Sequence, residues 1–295
     1  MFNSIFKKIE IDDKKIFDYF FSNNIIEISE YTFTNLFVWS DSRIVEYAIY
    51  NDILITKASF ENEQYFLPPV GPVTIDTYIT LRDYAIKNNI TSIKRVDLNT
   101  IERLNLKDKF RVVEDRDNFD YVYDSTSLIE LKGSKYSSKR GFVKKFLDTY
   151  DYEYREFDEK YKNDCLMLTE KWFSNKNNND KTLKNEFIAI KRLLEFNKEL
   201  KIAGGLIFIE DKLRAFAFGE RLNHETFVIH FEKADTNFVG IYQTINKLFI
   251  EKECYNKFKF VNREQDLGIE GIRKAKESYH PIKMIKKYNL YFDKV

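Results

Sequence analysis

Three consecutive apolar runs, AGGLIFIE, LRAFAFGERL and ETFVIHFEKA, spanning residues 203 to 234, constrain this chain more than any other feature. The connections between them, Glu210-Asp211-Lys212 and Asn223-His224, suit tight turns, so the runs read as an antiparallel meander. Apolar residues fall on both faces of these strands, and a sheet of that kind needs cover on both sides. The next segment, IYQTINKLFI, supplies it, with Ile241, Ile245, Leu248 and Phe249 at i, i+4, i+7 and i+8 of a helix. FKFV then reads as a strand, IEGIRKAKESY as a helix and KMIKKYNLYF as a final strand.

The first half alternates in the same way. RIVEYAIYNDILITKASFENEQYFLPPVGP reads as short strands turning at Asn51-Asp52, closed by Pro68, Pro69, Gly71 and Pro72, which cannot continue a ladder. IDTYITLRDYAIKNN places Ile75, Ile79, Tyr84 and Ile86 at roughly helical spacing, and SIKRVDL returns to a strand. YSSKRGFVKKFLDTY is a basic helix with Phe142, Phe146 and Leu147 toward one face. YEYREF follows as a strand, and NDCLMLTEKWF and LKNEFIAIKRLLEF as helices. NKNNND, residues 175 to 180, is a polar tract expected to form a loop. No sequence repeat or long linker is evident.

Composition limits the partners. With 295 residues, 43% hydrophobic and 16% aromatic, the chain can bury a sizeable core and suits two domains. Lys+Arg at 48 against Asp+Glu at 47 leaves a net charge of +1, so an anionic partner must be held by a local patch. The two cysteines, Cys165 and Cys254, lack CxxC spacing, which argues against a disulfide scaffold or a thiolate metal site and for a reducing, cytoplasmic location. No stretch approaches the roughly 20 apolar residues of a membrane span, and the N-terminal segment lacks the pattern of a signal peptide. Peripheral contact with a membrane stays open.

The element order resembles the GNAT acyltransferase fold. SEYTFTNLFVW, FLPPVG, LKGSKYSSKR, FEKAD and VNREQDLGIEGIRKAKESYHP, taken in order, resemble the C-terminal domain family of phosphatidylglycerol lysyltransferases, related to the Fem-type aminoacyltransferases. The resemblance covers nearly the whole chain. It implies an α+β architecture of tandem GNAT-like domains with mixed, mostly antiparallel sheets, divided as 1–126 and 127–295, the second carrying the active site. It further implies an acyltransferase moving an aminoacyl group from aminoacyl-tRNA to an amine or hydroxyl, on a lipid head group or another small acceptor. The chain departs from ordinary acetyltransferases at NFVGIY. Gly240 fits the first glycine of their pyrophosphate loop, but Asn237 replaces Gln or Arg, and Tyr242 stands where a small residue is wanted. Coenzyme A is thereby disfavoured as donor and no separate cofactor is expected; an acyl-coenzyme A enzyme and a non-catalytic module for a nucleotide or anionic head group are the alternatives.

Candidate residues follow from charge and from the resemblance. LKGSKYSSKR with GFVKKF carries Lys132, Lys135, Lys139, Arg140, Lys144 and Lys145 without an acid, suited to phosphate oxygens; Lys135, Tyr136 and Arg140 match the family motif individually. Glu232 and Asp235 close a strand where this fold splays and admits reacting groups, with Asp235 alternatively a helix cap. Arg263 joins these two as the catalytic set, and Asn262, Glu264, Asp266, Lys274 and Tyr279 complete the binding set. Glu270 with Lys274 and Arg273 with Glu277 are spaced as ordinary i, i+4 helix pairs. His224, His230 and His280 have no metal-ligand spacing, so no metal is expected. Cys165 sits in an apolar helical pattern as a core residue, and YTFTNLFVW reads as packing rather than a stacking surface.

Overall fold

The computed structural model describes residues 6–174 and 181–292; the NKNNND tract lies outside them. The chain divides into two compact units. Unit 1 runs to Asp120 and also takes Gln265–Glu270 and the segment from Met284 on; unit 2 is Tyr121–Glu264 with Gly271–Lys283.

Unit 1 contains β1 (Lys7–Lys8), α1 (Lys14–Ser22), α2 (Phe33–Val38), β2 (Ile44–Tyr50), β3 (Ile53–Phe60), β4 (Glu63–Phe66), α3 (Ile75–Lys87), β5 (Ser92–Asp97), α4 (Leu98–Arg103) and β6 (Arg111–Glu114). The Asn51-Asp52 turn adopts positive φ at both residues, as a two-residue hairpin requires. Strands β4 and β5 pair in parallel, which the intervening α3 makes possible. The most deeply buried residues of α3 are Tyr78, Leu81 and Ala85; of the expected set, Ile75 and Tyr84 pack part-buried against the same core, whereas Ile86 is 61% exposed. The large ring of Tyr78 sets the rotation, packing against Phe110 in the core. In the aromatic run, α2 is capped by Thr32, and Tyr31, Phe33 and Phe37 are buried as packing.

Unit 2 is built from β7 (Asp120–Asp124), α5 (Ser125–Glu130), α6 (Ser137–Thr149), β8 (Glu153–Glu156), α7 (Lys162–Ser174), α8 (Lys181–Glu195), α9 (Asn197–Leu200), β9 (Ala203–Ile209), β10 (Lys212–Arg221), β11 (Thr226–Ala234), α10 (Ile241–Cys254), β12 (Phe260–Asn262) and α11 (Glu270–Glu277). The apolar meander forms as read, and buried Ile241, Ile245 and Phe249 of α10 cover it. Helix α6 turns Val143 and Phe146 inward and leaves Phe142 and Leu147 exposed, unlike the expected face.

The expected final strand is two: β13 (Lys283–Ile285) and β14 (Lys287–Tyr291), which enter different sheets. One sheet runs β1-β2-β3-β4-β5-β14-β6 and the other β13-β7-β12-β11-β10-β9-β8. The two orders share one logic. Each is a meander, a parallel pair and an inserted strand, and the inserted strand follows the other sheet's edge strand in sequence. This is why the division differs from a cut at residue 126. Leu290 of β14 is fully buried among Ile93, Val96 and Phe110, so the end of the chain completes the first core.

Candidate active site

The second sheet opens where β11 and β12 part. They pair in parallel only through Thr226↔Phe260, Phe227↔Val261 and Val228↔Asn262. Beyond that point β11 stays with β10 as far as Ala234, while Arg263 and Glu264 exchange backbone hydrogen bonds with Tyr121. A bulge marks the divergence: Ile229 pairs Gly219 and Phe231 pairs Phe218, leaving His230 as the extra residue. Bulges re-aim side chains in this way beside functional sites.

Two polar links cross the opening. Arg263 Nη2 donates to Glu232 Oε2 at 2.8 Å, and Glu232 Oε1 accepts from Asn246 Nδ2 of α10 at 3.1 Å. His230 lies between two carboxylates, Nδ1 at 2.7 Å from Glu264 and Nε2 at 2.9 Å from Glu220. Both ring nitrogens face acceptors, the arrangement of an imidazolium. Burial pushes its pKa down, but the bonds to Glu220 and Glu264 outweigh this and hold it at about 9. Arg263 is likewise penalised by burial, yet Glu232 holds it charged.

Aromatic rings line the guanidinium. Arg263 stands 4.8 Å from the Tyr279 ring centre and 5.8 Å from that of Tyr123. Lys139 of α6 lies over the same Tyr279 ring at 4.5 Å. Burial and then the charge of Arg263 lower the Lys139 pKa, and burial pushes the Tyr279 hydroxyl up to about 12. Tyr136, itself buried, donates to the Tyr279 carbonyl at 3.2 Å.

The other expected residues occupy different settings. Asp235 is buried, paired with Lys171 at 2.8 Å and accepting from Asn237 Nδ2 at 2.9 Å; burial raises its pKa, but Lys171 and Asn237 together hold it below the usual range. The cap of α10 is Gly240, not Asp235. Asn262, fully buried, accepts from the Glu264 amide and so shapes the turn that leaves Glu264 at φ 56. Arg140 bonds the carbonyls of Leu131 and Gly133 at the end of α5. Lys135 is exposed with its ammonium over Tyr136, and its carbonyl faces His280 Nε2 at 3.1 Å. Lys274 is exposed on α11. Asp266 belongs to unit 1, where it is fully buried and pairs with Arg116 at 3.0 Å.

The structure thus gathers Glu232, Arg263, Glu264, Tyr136 and Tyr279, and adds His230, Asn246 and Lys139. Lys139 was visible only as one member of a basic run. A bulge at His230 leaves no mark in the alternation, because the residues around it, Phe227, Val228, Ile229 and Phe231, are apolar on both faces. A small pocket in unit 1, lined in part by Glu30, Trp39, Arg43 and Arg95, is a weaker candidate. Its acid is spent on Lys287 and Arg95. Among the described residues, no group of three or more His, Cys, Asp or Glu is arranged to hold a metal, and no helix is long and apolar enough to cross a membrane.

The family model described as phosphatidylglycerol lysyltransferase, C-terminal, matches residues 24–291. The chain belongs to this family. The structure of a conserved protein of unknown function from Bacteroides thetaiotaomicron is 32% identical to this family member, with a TM-score of 0.92 over 98% of this chain and 100% of that one. L-PGS from Bacillus licheniformis is 13% identical, TM-score 0.69, with 97% and 93% covered. FemX is 7% identical, TM-score 0.64, with 97% and 96% covered. At these last two identities the likeness is one of fold. No curated protein matches the sequence. The expected resemblance and the α+β, GNAT-like tandem fold are borne out, and family and fold together point to an acyltransferase.

Proposed function

We propose that this family member transfers an aminoacyl group from an aminoacyl-tRNA to an amine or hydroxyl acceptor, without a separate cofactor. The observation that carries the proposal is the Glu232–Arg263 pair, set across the opening between β11 and β12 with carboxylate and guanidinium both only part-buried by their side-chain exposure of 13% and 15%. Glu232 accepts two hydrogen bonds and retains lone pairs for the donor's ammonium group. The acceptor's lone pair attacks the ester carbonyl carbon, the bond to the terminal ribose oxygen breaks, and the acceptor's proton ends on that oxygen. Catalysis of this kind rests on positioning and on charge aimed at the developing oxyanion. The exposed lysines around α6 suit the phosphates of a tRNA end or an anionic head group.

Gly240 argues against coenzyme A. A Cβ there would lie 2.2 Å from the Phe142 carbonyl oxygen, so the glycine serves the packing of α6 on α10 and faces an acceptor that repels pyrophosphate. Tyr242, in the first turn of α10, is held by Trp172 Nε1 at 3.0 Å.

The test is an assay of the full chain against a panel of charged tRNAs and coenzyme A thioesters, following ester or thioester loss. Ester loss that falls about 10²-fold or more in Glu232→Gln is expected. Thioester loss alone would overturn the proposal, and tight binding without either reaction would favour a non-catalytic module.

A further inference from the structure

We infer that Lys139 and the unspent Nη1 of Arg263 form a binding site for a single phosphate group. Arg263 Nη1 is enclosed and makes no well-formed hydrogen bond, the Tyr279 hydroxyl interacting with this guanidinium only loosely, while Nη2 is committed to Glu232. A buried donor left unmet costs the fold its desolvation, so a ligand acceptor is the natural complement. Lys139, half-buried on α6, has no carboxylate within ion-pair distance among the described residues, although it shares the Tyr279 ring with Arg263. Two cations thus lie against one ring, and among the described residues Glu232 is the carboxylate in ion-pair contact with them.

The chemistry selects phosphate over carboxylate. A planar carboxylate is gripped best by both nitrogens of one guanidinium fork, and Arg263 has only one to offer. Donors on two separate side chains suit separate oxygens of a tetrahedral group, whose larger charge also answers two cations. Arg140, the more obvious phosphate ligand by sequence, bonds backbone carbonyls instead. The site rests on the proposed function only for its source: with Glu232 holding the donor's ammonium, a phosphate beside Arg263 is the one belonging to the donor's terminal nucleotide.

Calorimetric titration of the full chain at low ionic strength with inorganic phosphate, 5′-AMP and glycerol 3-phosphate tests this directly. One equivalent is expected to bind, with 5′-AMP tightest. Lys139→Met, which keeps the stem over Tyr279, should weaken binding by roughly tenfold to a hundredfold with unchanged melting, and Lys139→Arg should restore it. A readout that packing would not move is the Lys139 ammonium titration by NMR, which the ligand should shift upward. Glycerol 3-phosphate binding tightest would keep the site and transfer its source to a head group. Failure of all three to bind at millimolar concentration, or binding indifferent to Lys139→Met, would overturn the site. Because no tRNA is present, phosphate binding without aminoacyl transfer would remove the proposed function and leave the site; transfer with Lys139-independent binding would do the reverse.

Discussion

Arg263 Nη2 and Glu232 Oε2 meet at 2.8 Å across the place where two parallel strands separate, so one ion pair spans the opening of the second sheet. The pair is held from both sides, by Asn246 on the acid and by the Tyr279 and Tyr123 rings beside the base. Replacing only the base should strand a charge. Arg263→Met is expected to lower stability by about 3–5 kcal/mol, and adding Glu232→Gln, which removes the charge and keeps a partner for Asn246, should recover most of it. Urea denaturation of the single and double variants decides this; equal losses in both would mean that the pair is not coupled.

His230 makes stability depend on alkaline pH. Its folded-state pKa, about 9, lies above the ordinary value of 6.5, so the protonated ring's contribution is complete below about pH 6.5 and is lost as pH rises through 9. The difference corresponds to roughly 3–4 kcal/mol at most, at on the order of 1.4 kcal/mol per pH unit. Melting temperature measured from pH 6 to 10 should fall steadily across that window. In His230→Gln the protein should start less stable and the alkaline fall attributable to this ring should vanish.

Gly240 is required by geometry. Its φ of 88 lies in the left-handed region, and an added Cβ would meet the Phe142 carbonyl oxygen at 2.2 Å and Phe146 Cβ at 3.2 Å. Gly240→Ala should cost about 2–4 kcal/mol, combining backbone strain with overpacking. An unchanged chemical denaturation midpoint would show that α6 can retreat from α10.

Lys287 tests the exchanged strand. It is fully buried in unit 1, with Nζ 2.6 Å from Glu30 and 2.7 Å from Asp120. Lys287→Met removes a cation shared by two buried acids, of which Glu30 keeps Arg95 at 3.3 Å, for a loss of about 3–5 kcal/mol. A chain truncated after residue 285 should lose that cation and β14 together, leaving β5 and β6 without their shared partner. Protease protection of the fragment from residue 6 to 110 would then collapse; protection as in the full chain would refute the role given to β14.

What the sequence determined by itself was local. Alternation, turn residues and helical spacing specify the meander from Ala203 to Ala234, its cover by α10 and the hairpin at Asn51-Asp52, because each depends on neighbours within a few residues. The motifs sufficed for the family, and they singled out Glu232 and Arg263, which the structure pairs at 2.8 Å. Helix faces were less legible: in α6 the core took Val143 and Phe146 and left Phe142 and Leu147 outside, and in α3 it took Tyr78 and Leu81 beside Ile75 and Tyr84 while Ile86 turned out. The tertiary structure alone decided that the end of the chain belongs to the first sheet, since a strand's pattern states that it will pair and not with what. It also decided that Asp266 leaves the group around Glu232, that Arg140 turns to carbonyls, and that Lys139 approaches Arg263. Those outcomes depend on which charges remain unpaired once the core has closed, and that is a property of positions distant along the chain.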